Sequence, residues 1–196
     1  MTEDRLAEAY ARIDAANAED PRREDVDGRQ VPKELLYGQR MTATLSSFRP
    51  DAPEAVRLAA RAQHIRRWEI PRSDYPEGRK GYLRWRTTLY QRHADLAAEI
   101  CAAVGYDDDT IASVRALLRK RGLGRDEHVQ ILEDVICLVF LQHYFAEFAR
   151  KHDDDKVVSI LQKTWAKMSP AAREAALRLD LGPERRLVER ALAGTS

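Results

Sequence analysis

Strand signals are almost absent from this chain of 196 residues. Few stretches alternate apolar and polar side chains, so a sandwich, a barrel or an α/β layer has little to be built from. Cysteine is scarce as well. Cys101 and Cys137 are the only two, and both sit in apolar helical patterns. That excludes a disulfide framework and zinc-knuckle spacing and leaves two small buried hydrophobes. An excess of one charge is missing too. With a net charge of +1, bulk electrostatics gives no reason to expect nucleic acid or an anionic membrane. No charge-free apolar run reaches the roughly 18 residues of a membrane span. The opening MTEDRLAEAYARIDAANAEDP is charged and amphipathic, without the apolar centre of a signal peptide. A cytoplasmic location with no membrane partner is the expectation. No internal repeat or low-complexity tract appears.

What is present is helical periodicity nearly everywhere. An apolar fraction of 44% beside a charged fraction of 33% suits a solvated surface around one core. The expected fold is all-α. It is a single compact multi-helix domain over 1–196, with about eight to nine helices around a buried central helix near 127–150. Residues 1–50 form N-terminal helices, 51–169 a core and 170–196 C-terminal helices. Asp20 to Pro32 reads as a polar loop. Asp51 with Pro53, Asp109, Asp126, Asp154 or its neighbours, and Ser169-Pro170 read as helix starts. Gly105 and Gly122 read as helix stops. Ala193 to Ser196 reads as a frayed end.

The central stretch VQILEDVICLVFLQHYFAEF is apolar on every side of its helix, yet holds adjacent carboxylates, Glu133 and Asp134. Burying a carboxylate without partners costs several kcal/mol. The pair therefore asks for a metal, a cation or a donor network. His93 falls within the apolar stripe Tyr82, Leu89, Leu96, Ile100 of a preceding helix. His64 lies further upstream, in line with Arg57 and Arg61. Neutral imidazoles with carboxylates form a common ligand set for Fe, Mn, Zn or Co. The candidate metal ligands are thus His64, His93, Glu133 and Asp134, with the acid that is not a ligand as general base. The competing structural reading ties the two acids to Arg84, Arg86 or Lys120. His143 and Glu147 form a further i, i+4 pair, read as an ordinary polar flank.

A second candidate site is the loop before and at the start of the fourth helix. Trp68, Tyr75 and the cations Arg67, Arg72, Lys80, Arg84 and Arg86 interleave there. Arginine grips phosphate bidentately, and aromatic rings stack on bases. This cluster is the expected anion- or nucleic-acid-binding surface.

The segments AARAQHIRRWEIPRSDYPEGRKGYLRWRTTLYQRHADLAAEICAAVGY, ILEDVICLVFLQHYFAEF and DDDKVVSILQKTWAKMS resemble a bacterial and fungal family of unknown function, catalogued as domain of unknown function family 4202. The order His64, His93, Glu133-Asp134 is more loosely similar to the HD superfamily of all-helical metal phosphohydrolases. That group carries a His-Asp pair, whereas here Ala94 follows His93. What these readings imply is a metal-dependent, HD-like hydrolase acting on a small phosphorylated or anionic compound. The alternatives are a nucleotide- or RNA-binding module and a non-haem iron oxygenase. Oligomeric state is open.

Overall fold

The computed structural model describes residues 2–193. The expectation for the chain end lies outside these beyond Ala193. The all-α architecture holds, with ten α-helices among the described residues. Two compact units make up the chain, one to Val129 and one from Gln130.

The first unit begins with α1 (Thr2–Ala18), followed by α2 (Lys33–Phe48), α3 (Glu54–Arg61), α4 (Gly78–Ala103) and α5 (Asp108–Leu118). The short α3 lies at its centre and packs against α1, α2 and α5. Its composition explains this: Ala59 and Ala60 are fully buried beside Val56 and Leu58, and small side chains admit three neighbours. Opposite them, Gly38 on α2 passes so close that a Cβ there would lie 2.8 Å from the Arg61 carbonyl oxygen. The stripe Leu36, Met41, Leu45 of α2 faces the same core.

Residues 20–32 are not a loop. Arg23–Val26 (β1) and Arg29–Pro32 (β2) form an antiparallel hairpin. Asp27 and Gly28 turn it with φ of 52° and 79°. Asp-Gly is the residue pair that such a two-residue turn demands. The strands hid because REDV and RQVP carry no apolar alternation.

Several helix ends also differ from expectation. Asp107, not Asp109, caps α5, by accepting from Thr110 N–H at 2.7 Å. Pro53 precedes α3 without any side-chain cap, and α5 stops before Lys120 rather than at Gly122. The third helix ends at Arg61, and irregular turns carry the chain on to Trp68.

The helix that closes the first unit, α6 (Glu127–Val139), runs on into the second, where a π-helical turn (Phe140–Tyr144) and α7 (Phe145–Arg150) continue it. The expected single central helix is therefore split, which accounts for the tenth helix. Asp126 starts it as expected, accepting from the main chain of His128 at 2.8 Å. The stretch Glu127–Arg150 is long and apolar enough to span a membrane by length alone, but 61% of its apolar window is buried in the protein, as in a core helix. The second unit then adds α8 (Asp154–Lys167), α9 (Pro170–Leu177) and α10 (Arg185–Ala193). Helix α8 packs on α10 and α7, enclosing Val157, Leu161, Leu187 and Ala191.

Candidate active site

The polar centre of the first unit forms around Glu34, in the first turn of α2. Its residue is 1% exposed. Oε1 accepts from Arg22 Nη2 at 2.7 Å. Oε2 lies 3.1 Å from His64 Nδ1. Arg67 Nη1 is 4.0 Å from Oε1. Beneath this, fully buried Asp20 accepts from the Glu34 main-chain N–H at 3.1 Å and from Arg22 Nε at 3.0 Å. The hairpin thus has a use: it brings Asp20 and Arg22 to the start of α2.

His64 occupies the turn after α3. Its ring stacks on Tyr37, with centroids 3.9 Å apart and planes at 12°. Glu34 and Tyr37 are three residues apart on α2, so both meet His64 from one helix face. His93, 2% exposed on α4, lies with its ring centre 5.9 Å from that of His64.

The protonation states follow from these contacts. Burial alone would raise the Glu34 carboxyl. His64, then Arg67 and Arg22, reverse that and hold it at about 2. Burial first, and Arg67 second, press His64 down to about 4 against the opposing pull of Glu34. At neutral pH the pair is carboxylate and neutral imidazole. A carboxylate only accepts, so Nδ1 of His64 carries the proton and donates, and Nε2 keeps a lone pair. His93 is pushed well below the usual imidazole range, by burial first and by the charge on His64 second. The Gln63 main chain hydrogen-bonds its ring. Nε2 of His93 is buried with no partner, so the engaged nitrogen is Nδ1. Both rings therefore have Nδ1 held.

Along α4 runs a set of cations against aromatic rings. Arg67 lies 5.1 Å over Trp85. Arg86 lies 5.6 Å over Tyr82 and 5.2 Å over Tyr90. Lys120 lies 5.6 Å over Tyr90. Of the basic cluster read from sequence, Arg67 reaches Glu34. Arg72 instead ties its own loop, donating to the carbonyls of Tyr75 at 2.7 Å and Pro76 at 2.9 Å. Trp68 carries Arg66 at 5.7 Å, and Lys80 and Arg84 are exposed on α4.

The acidic pair of α6 is also buried, with Glu133 at 4% and Asp134 at 2%. Asp134 has both oxygens engaged. Ser169 donates to it through its main-chain N–H at 2.9 Å and its Oγ at 2.5 Å, and Gln130 Nε2 donates at 2.9 Å. Glu133 meets Lys167 Nζ at 3.5 Å. These contacts join α6 to the corner between α8 and α9. Of the cations considered for the acids, Arg84 and Arg86 belong to α4 and Lys120 follows α5. Glu147 pairs with Lys151, and His143 lies in the π turn between α6 and α7. Among the described residues, no three His, Cys, Asp or Glu side chains form a ready metal-ligand group.

Glu34 is the residue that sequence reading missed. Its signal was present: positions 34, 38, 41 and 45 share one helical face, and the last two are core Met41 and Leu45. An acid on that face had to be buried.

The family model for the domain of unknown function DUF4202 matches residues 7–188, and the chain is a member of that family. No curated protein and no solved structure matches the chain.

Proposed function

We propose that the chain is a metal-dependent hydrolase that acts on a small phosphorylated or otherwise anionic compound at His64 and His93. The observation that carries the reading is the pair of rings: His64 has Nδ1 3.1 Å from Glu34 Oε2, and His93 is bonded by the Gln63 main chain and keeps a buried Nε2 with no partner. Metal-binding histidines are oriented in that way, by a carboxylate or a main-chain carbonyl on the far nitrogen. Metal–nitrogen bonds of about 2.0–2.1 Å at tetrahedral to trigonal angles put the centres of two ligating rings roughly 5.2–5.5 Å apart, so these rings, 5.9 Å apart, close by about half an ångström to share one ion.

Glu34 fixes the tautomer of His64, and Tyr37 holds the ring plane. Arg67, stacked on Trp85, grips the anion, and Arg22 screens Glu34 from it. A divalent Fe, Mn, Zn or Co ion supplies a water of lowered pKa when bound. Two imidazoles leave the remaining coordination positions to water, substrate oxygens or further protein donors.

The test is calorimetric titration of each metal into chelator-treated protein, followed by hydrolysis of an aryl phosphate. His93→Ala is expected to weaken metal binding by about 100-fold or more, since a first ligand is lost and orienting partners alone are worth about 10–100-fold. Wild-type protein that takes up none of the four metals sinks the reading. Oxygen consumption by the Fe(II)-loaded protein would turn it toward a non-haem iron oxygenase, which uses similar ligands.

The run of cations on Trp85, Tyr82 and Tyr90 favours a second reading, a nucleotide- or RNA-binding module. Affinity for a short single-stranded RNA should then fall steeply with salt. Binding that ignores salt removes it.

A further inference from the structure

His64 and Arg67 are the two ends of one tight turn. The His64 carbonyl accepts from Arg67 N–H at 3.1 Å. Between them, Arg66 has φ of 50° and ψ of 34°, left-handed backbone that strains a residue with a Cβ. The turn sets both ends against one acid. His64 Nδ1 lies 3.1 Å from Glu34 Oε2, and Arg67 Nη1 lies 4.0 Å from Oε1. Glycine is the ordinary residue for such a conformation. An arginine persists there only where its surroundings hold it.

Those surroundings are specific. Asn17, 1% exposed near the end of α1, accepts from Arg66 N–H through its side-chain Oδ1 at 3.0 Å. The Arg66 guanidinium pairs with Glu19 at 2.8 Å and with Glu69 at 2.5 Å. Asn17 holds a second segment as well. Its main-chain carbonyl accepts from Asp20 N–H at 3.2 Å. Asp20 in turn accepts from the Glu34 N–H and from Arg22. One residue of α1 is thus tied to both chain segments that meet at Glu34. The carbonyl tie would survive any side chain, whereas the tie to Arg66 needs this one.

We infer that Asn17 is a positioning residue of the imidazole centre: through the strained turn at Arg66 it sets the His64 ring and the Arg67 guanidinium relative to each other. The inference rests on the reading of His64 and His93 as the reaction centre, with Arg67 as the anion grip, and adds the residue that keeps the two in register. Asn17 itself touches neither metal nor substrate. A turn fixed beforehand removes the cost of ordering a ligand and a cation when the substrate binds.

Asn17→Ala removes the acceptor and strands the Arg66 N–H, while Asn17→Asp keeps an oxygen in its place. The His64 imidazole resonances of metal-free protein, followed by NMR from about pH 7.5 to about pH 5, read the ring without any metal. In wild type, where burial and then Arg67 hold His64 at about 4, they should stay still across that range. In Asn17→Ala a loosened ring meets water and should begin to take up a proton within it. Metal affinity of the same variant should fall about tenfold or more, since partners that orient a ligand are worth about 10–100-fold. Asn17→Asp should restore both. Asn17→Ala with a lower Tm but an unmoved His64 resonance overturns the inference, because Asn17 then supports the fold alone. Asn17→Asp that restores neither readout overturns it as well. If Asn17→Ala does not fold, Arg66→Gly takes its place. Glycine adopts the left-handed turn freely but offers nothing to Glu19 and Glu69, so the resonance should move in the same direction, and an unmoved one overturns the inference. Wild type that takes up no metal removes the hydrolase reading, while the His64 resonance still decides whether Asn17 sets the ring.

Discussion

Glu34 and Asp134 are buried almost equally, at 1% and 2% exposure, but their surroundings set them to different work. Asp134 is met by an amide, a hydroxyl and a main-chain N–H, all neutral and all within the second unit. Glu34 is met by an imidazole and two guanidiniums that are themselves partly open to solvent, His64 at 22%, Arg67 at 29% and Arg22 at 44%. A buried carboxylate therefore does not by itself call for a metal or a cation, because enough neutral donors satisfy it. Chemistry is indicated where the partner can titrate and a solute can reach it. The comparison moves attention from the acidic pair on α6 to the start of α2.

The sharpest way to break this contrast is pH. Glu34 is held at about 2 against 4.5 when unfolded, and His64 at about 4 against 6.5. In both cases the unfolded chain takes up a proton that the folded pair refuses. Stability is thus full above about pH 6.5 and falls as pH drops, first through His64 and then, below 4.5, through Glu34. A difference of this size is roughly 3 kcal/mol. Because the two groups share one contact, that figure is assigned to the pair. His93, depressed in the same sense, adds to it. Chemical denaturation of metal-free protein from pH 7.5 to 4 reads the effect, and a flat profile contradicts the assignment of charges.

Asp134→Ala should come next. It leaves Ser169 N–H without its acceptor, removes one acceptor each from Ser169 Oγ and Gln130 Nε2, which keep Ala172 N–H and the Lys167 carbonyl, and leaves a cavity, for about 2–4 kcal/mol of lost stability. Metal and phosphate affinity of the folded protein should not change. Any loss of metal binding larger than about threefold in a folded Asp134→Ala sample would return Asp134 to the site. Glu34→Gln is the opposite case. It should cost metal affinity about 10–100-fold, and it should flatten the pH profile below 4.5, since an amide does not ionise. If it changes stability alone, the two acids are alike after all.

The helices, their approximate order and the buried acids of α6 were legible because hydrophobic periodicity and burial are local properties of sequence. His93 was legible for the same reason, lying in an apolar stripe. The pairing of Glu34 with His64 was not, because it joins residues 30 apart through the hairpin and the turn after α3, and no periodicity encodes either. The reach of Arg67 was legible as chemistry but not as position: Arg67, Arg72, Lys80, Arg84 and Arg86 look alike in a string, and only the turn at 62–66 separates the one that meets Glu34 from the one that ties its own loop. Ser169 was read as a cap. It is one, with Ala172 N–H donating to Oγ at 3.2 Å, but the same hydroxyl donates onward to Asp134, which no cap rule foretells.

That double duty gives the smallest effect and the finest discrimination. Ser169→Ala removes the cap of α9 and one donor to Asp134, while the main-chain N–H of residue 169 and Gln130 remain on the carboxylate. Capping alone is worth about 1 kcal/mol, and the hydroxyl bond to a charged acceptor adds about 1–2 kcal/mol at most. If Asp134 is held by a network, Ser169→Ala and Asp134→Asn should be strongly non-additive, because each removes part of the same hydroxyl–carboxylate contact. The coupling is read from denaturation midpoints of the two single variants and the double. Purely additive losses would mean that Ser169 acts on α9 alone and that Asp134 draws its stability from elsewhere, and the contrast with Glu34 would lose its structural arm.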